Sequence, residues 1–221
     1  MFIVVIYKGC EIVNYLLEKS RVVVQTKGER NYHIFYQLLA GADSNLRSRL
    51  HLGRVEDYRL LNQSGCSVIE DVDDAAEFRD VIAALVTLQF YGDFSDTMFK
   101  IMSAILHLGN VDFDTVKDAA EVSPNSMTQL GTVAELLGVD IGQLIFSLTE
   151  KRVQMGKGEV VNIKNNVVQA IDSRDTLSKA LYSNFFDFVV KKVNETLKLS
   201  EAPFSIGILD IFGFEIFEDN S

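Results

Sequence analysis

The stretch that decides the fold is SIGILDIFGFE, residues 205–215. Its apolar residues Ile206, Ile208 and Leu209 form a short run bounded by glycine and acidic residues, which is typical of a buried strand. Asp210 then places a carboxylate where this strand would leave a sheet. In nucleotide-binding sheets that position holds Mg²⁺, directly or through water, because a hard cation prefers oxygen ligands. We therefore expect a buried strand that ends at a cation-binding carboxylate.

Two later residues complete this candidate site. Gly213 has no Cβ, so its backbone N–H can approach a phosphate closely. Glu215 is a second acid among aromatic and aliphatic neighbours, where a carboxylate needs a cationic partner or tends to protonate. A strand ending in aspartate can also be a strand that leaves the core through a polar turn. The residues alone leave both interpretations open.

The composition limits the class of protein. The chain has 221 residues, of which 48% are hydrophobic and 24% charged, so it can form one large globular domain or part of a bigger one. Its net charge of −10 argues against nucleic-acid or anionic-membrane binding. Cys10 and Cys66 suggest neither a metal site nor a disulfide framework, which favours a reducing intracellular compartment. No apolar run approaches membrane length, so we expect no membrane span.

Helical patterns dominate the middle of the chain. Gly41 is suited to follow a helix, Asp74 has capping-box spacing, and Ser95 can cap the next helix. The polar stretch 112–126 reads as a surface loop. We predict a strand over Phe2–Ile6, a helix that ends near Gly41, helices from Asp74 to Phe90 and from Ser95 to Gly109, helices over 127–137 and 141–148, and a longest helix that opens at 172–183.

Between Thr149 and Gln169 the sequence becomes basic, although the protein is acidic. The basic residues are Lys151, Arg152, Lys157 and Lys164. Glycines at 156 and 158 make the segment turn-prone, but no G-x-x-x-x-G-K-[ST] phosphate-binding loop occurs anywhere in the chain. The segment is either a solvated loop or a protruding contact with an acidic partner, where charge steers docking more than it supplies affinity.

The stretch 205–215 resembles switch II of the myosins, the loop that senses the γ-phosphate of ATP. Further strings that resemble myosin segments follow one another in the right order. They are GCEIVNYLLEKSRVV at 9–23, ERNYHIFYQLLAG at 29–41, NQSGC at 62–66, AILHLGN at 104–110 and DSRDTLSKALYS at 172–183. The chain is thus similar to the part of the myosin motor domain between switch I and switch II, mostly the upper 50-kilodalton subdomain.

This resemblance implies a fold that is predominantly α-helical with a few strands of a larger mixed sheet, an α+β fragment of the P-loop NTPase-like myosin motor. Residues 1–25 would supply transducer strands, with 9–23 forming a hairpin. Residues 26–204 would form the upper 50-kilodalton subdomain, with an actin-contacting loop at about 151–168. Residues 205–221 would form a strand plus switch II.

The resemblance also implies roles in binding ATP with Mg²⁺. Asp210 would contact the Mg²⁺ shell through water, and the Gly213 N–H would donate to the γ-phosphate. Glu215 would pair with an arginine of switch I and help to position the attacking water. The implied actin-binding residues are Lys151, Arg152, Lys157, Glu159 and Lys164, and Glu159 falls where myosins carry an acid or a phosphorylatable residue.

By this resemblance the chain is part of an actin-based, ATP-driven cytoskeletal motor, a myosin heavy chain of the cytoplasm and cytoskeleton. Its partners would be the actin filament, the remainder of the heavy chain and, only through regions outside these 221 residues, light chains. The parent family is an ATPase. Because the P-loop and switch I strings do not occur here, we expect the chain alone not to hydrolyse ATP. The alternative is a stand-alone actin-binding or protein-interaction module without catalysis.

Overall fold

A computed structural model describes residues 9–14, 17–154, 160–197 and 206–209. Within these ranges, helices form most of the chain and four short strands form two hairpins. The elements are α1 His33–Gly41, α2 Ser44–Arg49, α3 Arg59–Asn62, α4 Asp74–Thr87, α5 Asp93–Gly109, β1 Phe113–Val116, β2 Ala119–Val122, α6 Met127–Leu137, α7 Ile141–Thr149, β3 Glu150–Gln154, β4 Val160–Lys164 and α8 Val167–Leu197. Short 3₁₀ helices lie at Lys19–Val22, Val55–Asp57 and Pro124–Ser126.

Helix α5 is the centre of the core. Its apolar residues Met98, Met102 and Ile105 recur at helical spacing, and all are buried. Helices α1, α3, α6 and α8 pack against it. The last residue of α5, Gly109, lies so close to the buried Leu60 side chain that an added Cβ would overlap it. The sequence thus permits a close approach between α5 and α3 that a larger residue would block.

Most predicted helices are confirmed, with shifts at their starts. Helices α6 and α7 have the predicted extents to within one residue. The cap of α4 is Asp73, not Asp74, because its carboxylate accepts from the backbone N–H groups of the first turn. Helix α5 begins at Asp93, and Ser95 lies inside its first turn, where its hydroxyl bonds to the backbone of Gly92.

The predicted surface loop at 112–126 is wrong, because most of it forms the hairpin β1–β2. The two strands pair antiparallel from Phe113 opposite Val122 to Val116 opposite Ala119. Both turn residues have left-handed backbone angles, with φ 48° at Lys117 and 66° at Asp118. Such tight turns usually carry Asn or Gly, so this hairpin gave only a weak signal in the sequence.

The predicted buried strand at 206–209 is not present. Ile206, Ile208 and Leu209 are 92%, 93% and 77% exposed, and no strand among the described residues pairs with them. Where a hairpin was expected over 9–23, Lys19–Val22 forms a 3₁₀ helix. A strand needs a partner for its backbone groups, and the described strands pair only as β1–β2 and β3–β4. The predicted larger sheet stays a prediction, and Phe2–Ile6 lies outside the described residues.

The N-terminal segment instead runs beside the second half of α8. The Asn194 side chain accepts from the Ile12 N–H (Oδ1···N 2.7 Å) and donates to the Ile12 carbonyl (Nδ2···O 2.8 Å). Two residues later, the Asn14 amide donates to the Asp187 carboxylate at 2.9 Å. Side chains of a helix and of an extended segment therefore replace the strand pairing that the sequence predicts here.

We expect Gly109→Ala to lower the free energy of unfolding by roughly 1–3 kcal/mol, because the new methyl group overlaps the buried Leu60 side chain. Urea unfolding followed by circular dichroism measures this change. The matched control is Gly131→Ala in α6, where an added Cβ meets nothing within 4 Å. This control should be neutral or stabilise by up to about 1 kcal/mol. Equal effects of the two substitutions would contradict the assigned α5–α3 contact.

Candidate functional site

The basic segment forms a projecting hairpin, β3–β4. Its strands pair antiparallel from Glu150 opposite Lys164 to Gln154 opposite Val160. Every residue of β4 is exposed, and in β3 only Glu150 and Val153 are partly buried. The segment is therefore an exposed hairpin and not the loop that was predicted, and its contact with an acidic partner stays a prediction.

The buried Asn165 anchors this hairpin to the body of the protein. Its side chain is almost fully enclosed, with the residue 3% exposed. Its side-chain amide donates to the Leu148 carbonyl at the end of α7 (3.1 Å). Its backbone N–H donates to the Thr149 carbonyl, and its carbonyl accepts from the Ala120 N–H of β2, both at 2.8 Å. One residue thus joins the hairpin to α7 and to β2.

The next residue starts helix α8. The Asn166 side chain accepts from the Gln169 N–H (2.9 Å), and the Gln169 side chain accepts from the Asn166 N–H (3.1 Å). This reciprocal pair is a capping box. The acids of 172–175 suit a first turn and so predict a helix start at Asp172, but the helix begins at Val167. The Asn-x-x-Gln spacing is the signal that could have located both the start and the anchor beside it.

The structure does not bring the basic residues of the hairpin together on one face. Alternation along a strand puts Lys151 on one face and Arg152 on the other, and Lys164 lies on the same face as Arg152. The Arg152 guanidinium lies 5.3 Å from the centre of the Phe146 ring of α7, a cation–π geometry. Lys157 and Glu159 lie outside the described residues. The single basic patch expected from the sequence is therefore split.

The predicted phosphate-sensing residues Asp210, Gly213 and Glu215 also lie outside the described residues. Their roles stay predictions, although a carboxylate and a bare backbone amide suit Mg²⁺ and phosphate respectively. In the part of the chain that the structure covers, no group of three or more His, Cys, Asp or Glu side chains could hold a metal ion. The described part has no single helix long and apolar enough to span a membrane; only the bent pair Pro124–Leu137 and Ile141–Thr149 meets that test jointly.

The family model and the similar proteins all indicate the same family. The family model of the myosin head (motor domain) matches residues 4–221. The chain is 42% identical to the Myosin ID heavy chain of Dictyostelium discoideum and 41% identical to Myosin-1 of Arabidopsis thaliana. Each alignment covers 96% of this chain, but only 20% and 18% of the relative. A Dictyostelium discoideum Myosin-I heavy chain is 44% identical, again over 96% of this chain and over 9% of the relative. The chain therefore spans about a fifth or less of these relatives.

We expect Asn165→Ala to destabilise the protein by about 1–3 kcal/mol, because it leaves the Leu148 carbonyl without its side-chain partner. Chemical unfolding measures the loss, and hydrogen exchange should show faster opening of β3–β4 first. The matched control is Asn162→Ala on the exposed face of β4, which should change stability by less than about 0.5 kcal/mol. If the two substitutions cost the same, Asn165 is not the anchor.

Proposed function

Since the chain belongs to the myosin motor-domain family, we propose that it is one part of an actin-based motor driven by ATP. The observation that carries this proposal is the projecting hairpin β3–β4, which lies in the segment 151–168 that the resemblance assigns to actin contact. An exposed arm held by a buried anchor is suited to reach a large partner while the body of the protein stays unchanged. The remainder of the heavy chain is the second proposed partner.

At the actin surface, we assign the contact to the hairpin and to residues 155–159, which connect its two strands in sequence. Lys151, Arg152 and Lys164 are cationic, and an acidic filament surface would attract them over a distance of about a Debye length, roughly 8–10 Å. Lys157 adds a further positive charge, and Glu159 supplies a fixed carboxylate at the position that myosins fill with an acid or with a phosphorylatable residue. The proposed motor therefore needs no modification at that position.

In the nucleotide site, the chain would supply the sensor of the γ-phosphate. Asp210 would act on Mg²⁺ through water, and the backbone N–H of Gly213 would donate to the phosphate. Glu215 would hold the attacking water in line and pair with an arginine of switch I. Phosphoryl transfer depends mainly on such positioning and electrostatics, so each group contributes only when the others are in place. The cofactor of the intact motor is ATP with Mg²⁺.

In a motor domain that contains this chain, Glu215→Gln should reduce the ATP turnover rate by roughly 10²–10³-fold, because the neutral amide neither pairs with an arginine nor orients water in the same way. Single-turnover phosphate release measures the effect. The control is Glu218→Gln, three residues away in the same acidic segment, which should leave turnover within about twofold. Similar rates for wild type and Glu215→Gln would contradict the assigned role.

Binding without catalysis is the second candidate function. It is favoured by the hairpin, whose anchor and surrounding helices all lie within this chain. Co-sedimentation of the 221-residue chain with actin filaments, beside an assay of ATP hydrolysis, separates the two. We expect no hydrolysis by this chain alone, because it contains no G-x-x-x-x-G-K-[ST] sequence. Actin-dependent sedimentation without hydrolysis supports this second function, and hydrolysis would contradict our assignment of the chain's part in the motor.

A further inference from the structure

The loop between α3 and α4 contains a serine that is followed by a run of acids. Ser67 is partly exposed, and Glu70 and Asp71, three and four residues later, are exposed. Between residues 66 and 78 the chain contains five acidic residues and neither lysine nor arginine. Residues 66–69 belong to neither a helix nor a strand. The serine therefore lies in an irregular surface segment that another protein can reach.

Hydrogen bonds hold the start of this loop beside α1 and the segment that precedes it. The Gly28 N–H donates to the Ser64 carbonyl at 3.0 Å. The Tyr36 hydroxyl of α1 donates to the Leu61 carbonyl at 3.4 Å. Ser67 follows Ser64 by three residues, which span at most about 11 Å even when fully extended. The serine is therefore confined to the neighbourhood of this contact.

Arg30 is a buried cation in the same region, and only part of its guanidinium is paired. The residue is 6% exposed, and its guanidinium stacks on the Tyr36 ring, 3.7 Å from the ring centre. Its Nη2 donates to both carboxylate oxygens of Asp74, at 2.9 and 2.8 Å. Its Nε and Nη1 are buried and have no hydrogen-bond partner within the described part of the chain. Because buried donors normally find an acceptor, these two nitrogens indicate a place for a further anion.

A phosphate group on Ser67 suits these two donors. A phosphoserine carries close to two negative charges and three strong acceptor oxygens, and guanidinium groups bind phosphate through paired hydrogen bonds. Arg30 already faces the acidic run, because it forms an ion pair with Asp74 in which its own side chain is 3% exposed. The phosphate and the Asp74 carboxylate can therefore share one guanidinium, with the phosphate on Nε and Nη1 and the carboxylate on Nη2.

We propose that Ser67 is a phosphorylation site for an acid-directed protein kinase and that Arg30 binds the resulting phosphate. Such a kinase selects a serine by the carboxylates that follow it, because cationic groups of the kinase pair with them. The Ser67 Oγ attacks the γ-phosphorus of a nucleoside triphosphate. The new O–P bond forms as the bond to the leaving nucleoside diphosphate breaks, and the hydroxyl proton passes to a carboxylate of the kinase.

Mass spectrometry of the 221-residue chain after treatment with an acid-directed kinase and ATP tests the modification. We expect phosphate on Ser67, and the double variant Glu70→Gln, Asp71→Asn should slow its transfer by roughly tenfold, because the carboxylates that the kinase recognises are lost. The matched control is Asp80→Asn, an exposed acid of α4 beyond the loop, which should leave the rate within about twofold. Absence of phosphate on Ser67, or equal rates for the double variant and the control, would overturn the site.

A ³¹P NMR titration of the phosphorylated chain tests the contact with Arg30. The second pKa of a free phosphoserine is about 6. A phosphate bound to Arg30 should have this pKa lowered to about 5, whereas one left in water beside Glu70 and Asp71 should have it raised, because like charges disfavour the second ionisation. In Arg30→Gln the pKa should return to about 6 or higher. A value of about 6 or higher in the wild-type protein would overturn the contact, and this measurement decides even if Arg30→Gln does not fold.

Discussion

The hydrogen bonds of the buried Asn165 are the constraint on which the functional part of this structure depends. Three chain segments meet at this residue, namely the end of α7, strand β2 and the return strand of the hairpin. Their backbone groups are shielded from water, so each must find a partner inside the protein. One amide side chain and its own backbone supply those partners. The position of the hairpin relative to the core follows from this single junction.

The same solution recurs at other irregular connections. Asn31, 2% exposed, donates to the carbonyls of Val22 and Leu60, both at 2.9 Å. Arg174 of α8, 4% exposed, donates to the Val111 carbonyl at 2.8 Å, just after α5 ends. In each case a buried polar side chain donates a hydrogen bond to a backbone carbonyl in a connection between elements. The core is thus apolar along the helices and polar where they are joined.

The sequence predicted most of the helices, because apolar residues that recur at helical spacing mark the face of a helix that is buried. It failed at the hairpin β1–β2 and at the predicted strand 206–209, each for its own physical reason. The turn of β1–β2 places Lys117 at a left-handed angle that lysine rarely adopts, and it contains neither Asn nor Gly. The segment Ile206–Leu209 has the composition of a buried strand, yet burial requires a neighbouring strand, which is a property of the whole sheet and not of four residues.

The candidate site was predictable in its location but not in its orientation. Runs of lysine and arginine identified the segment, and the resemblance gave it a function. Which side of the hairpin meets α7 depends on Arg152 reaching the Phe146 ring, a contact between α7 and β3 that alternation alone does not reveal. A count of charges therefore did not reveal that the basic residues are divided between the two faces of the hairpin.

Helix α8 is continuous for 31 residues and so is about 46 Å long. A tilt of about five degrees around the end near Asn165 would move Asn194 by about 4 Å, which is further than a hydrogen bond can stretch. The segment around Ile12 must therefore move together with the helix, or its two hydrogen bonds to Asn194 break.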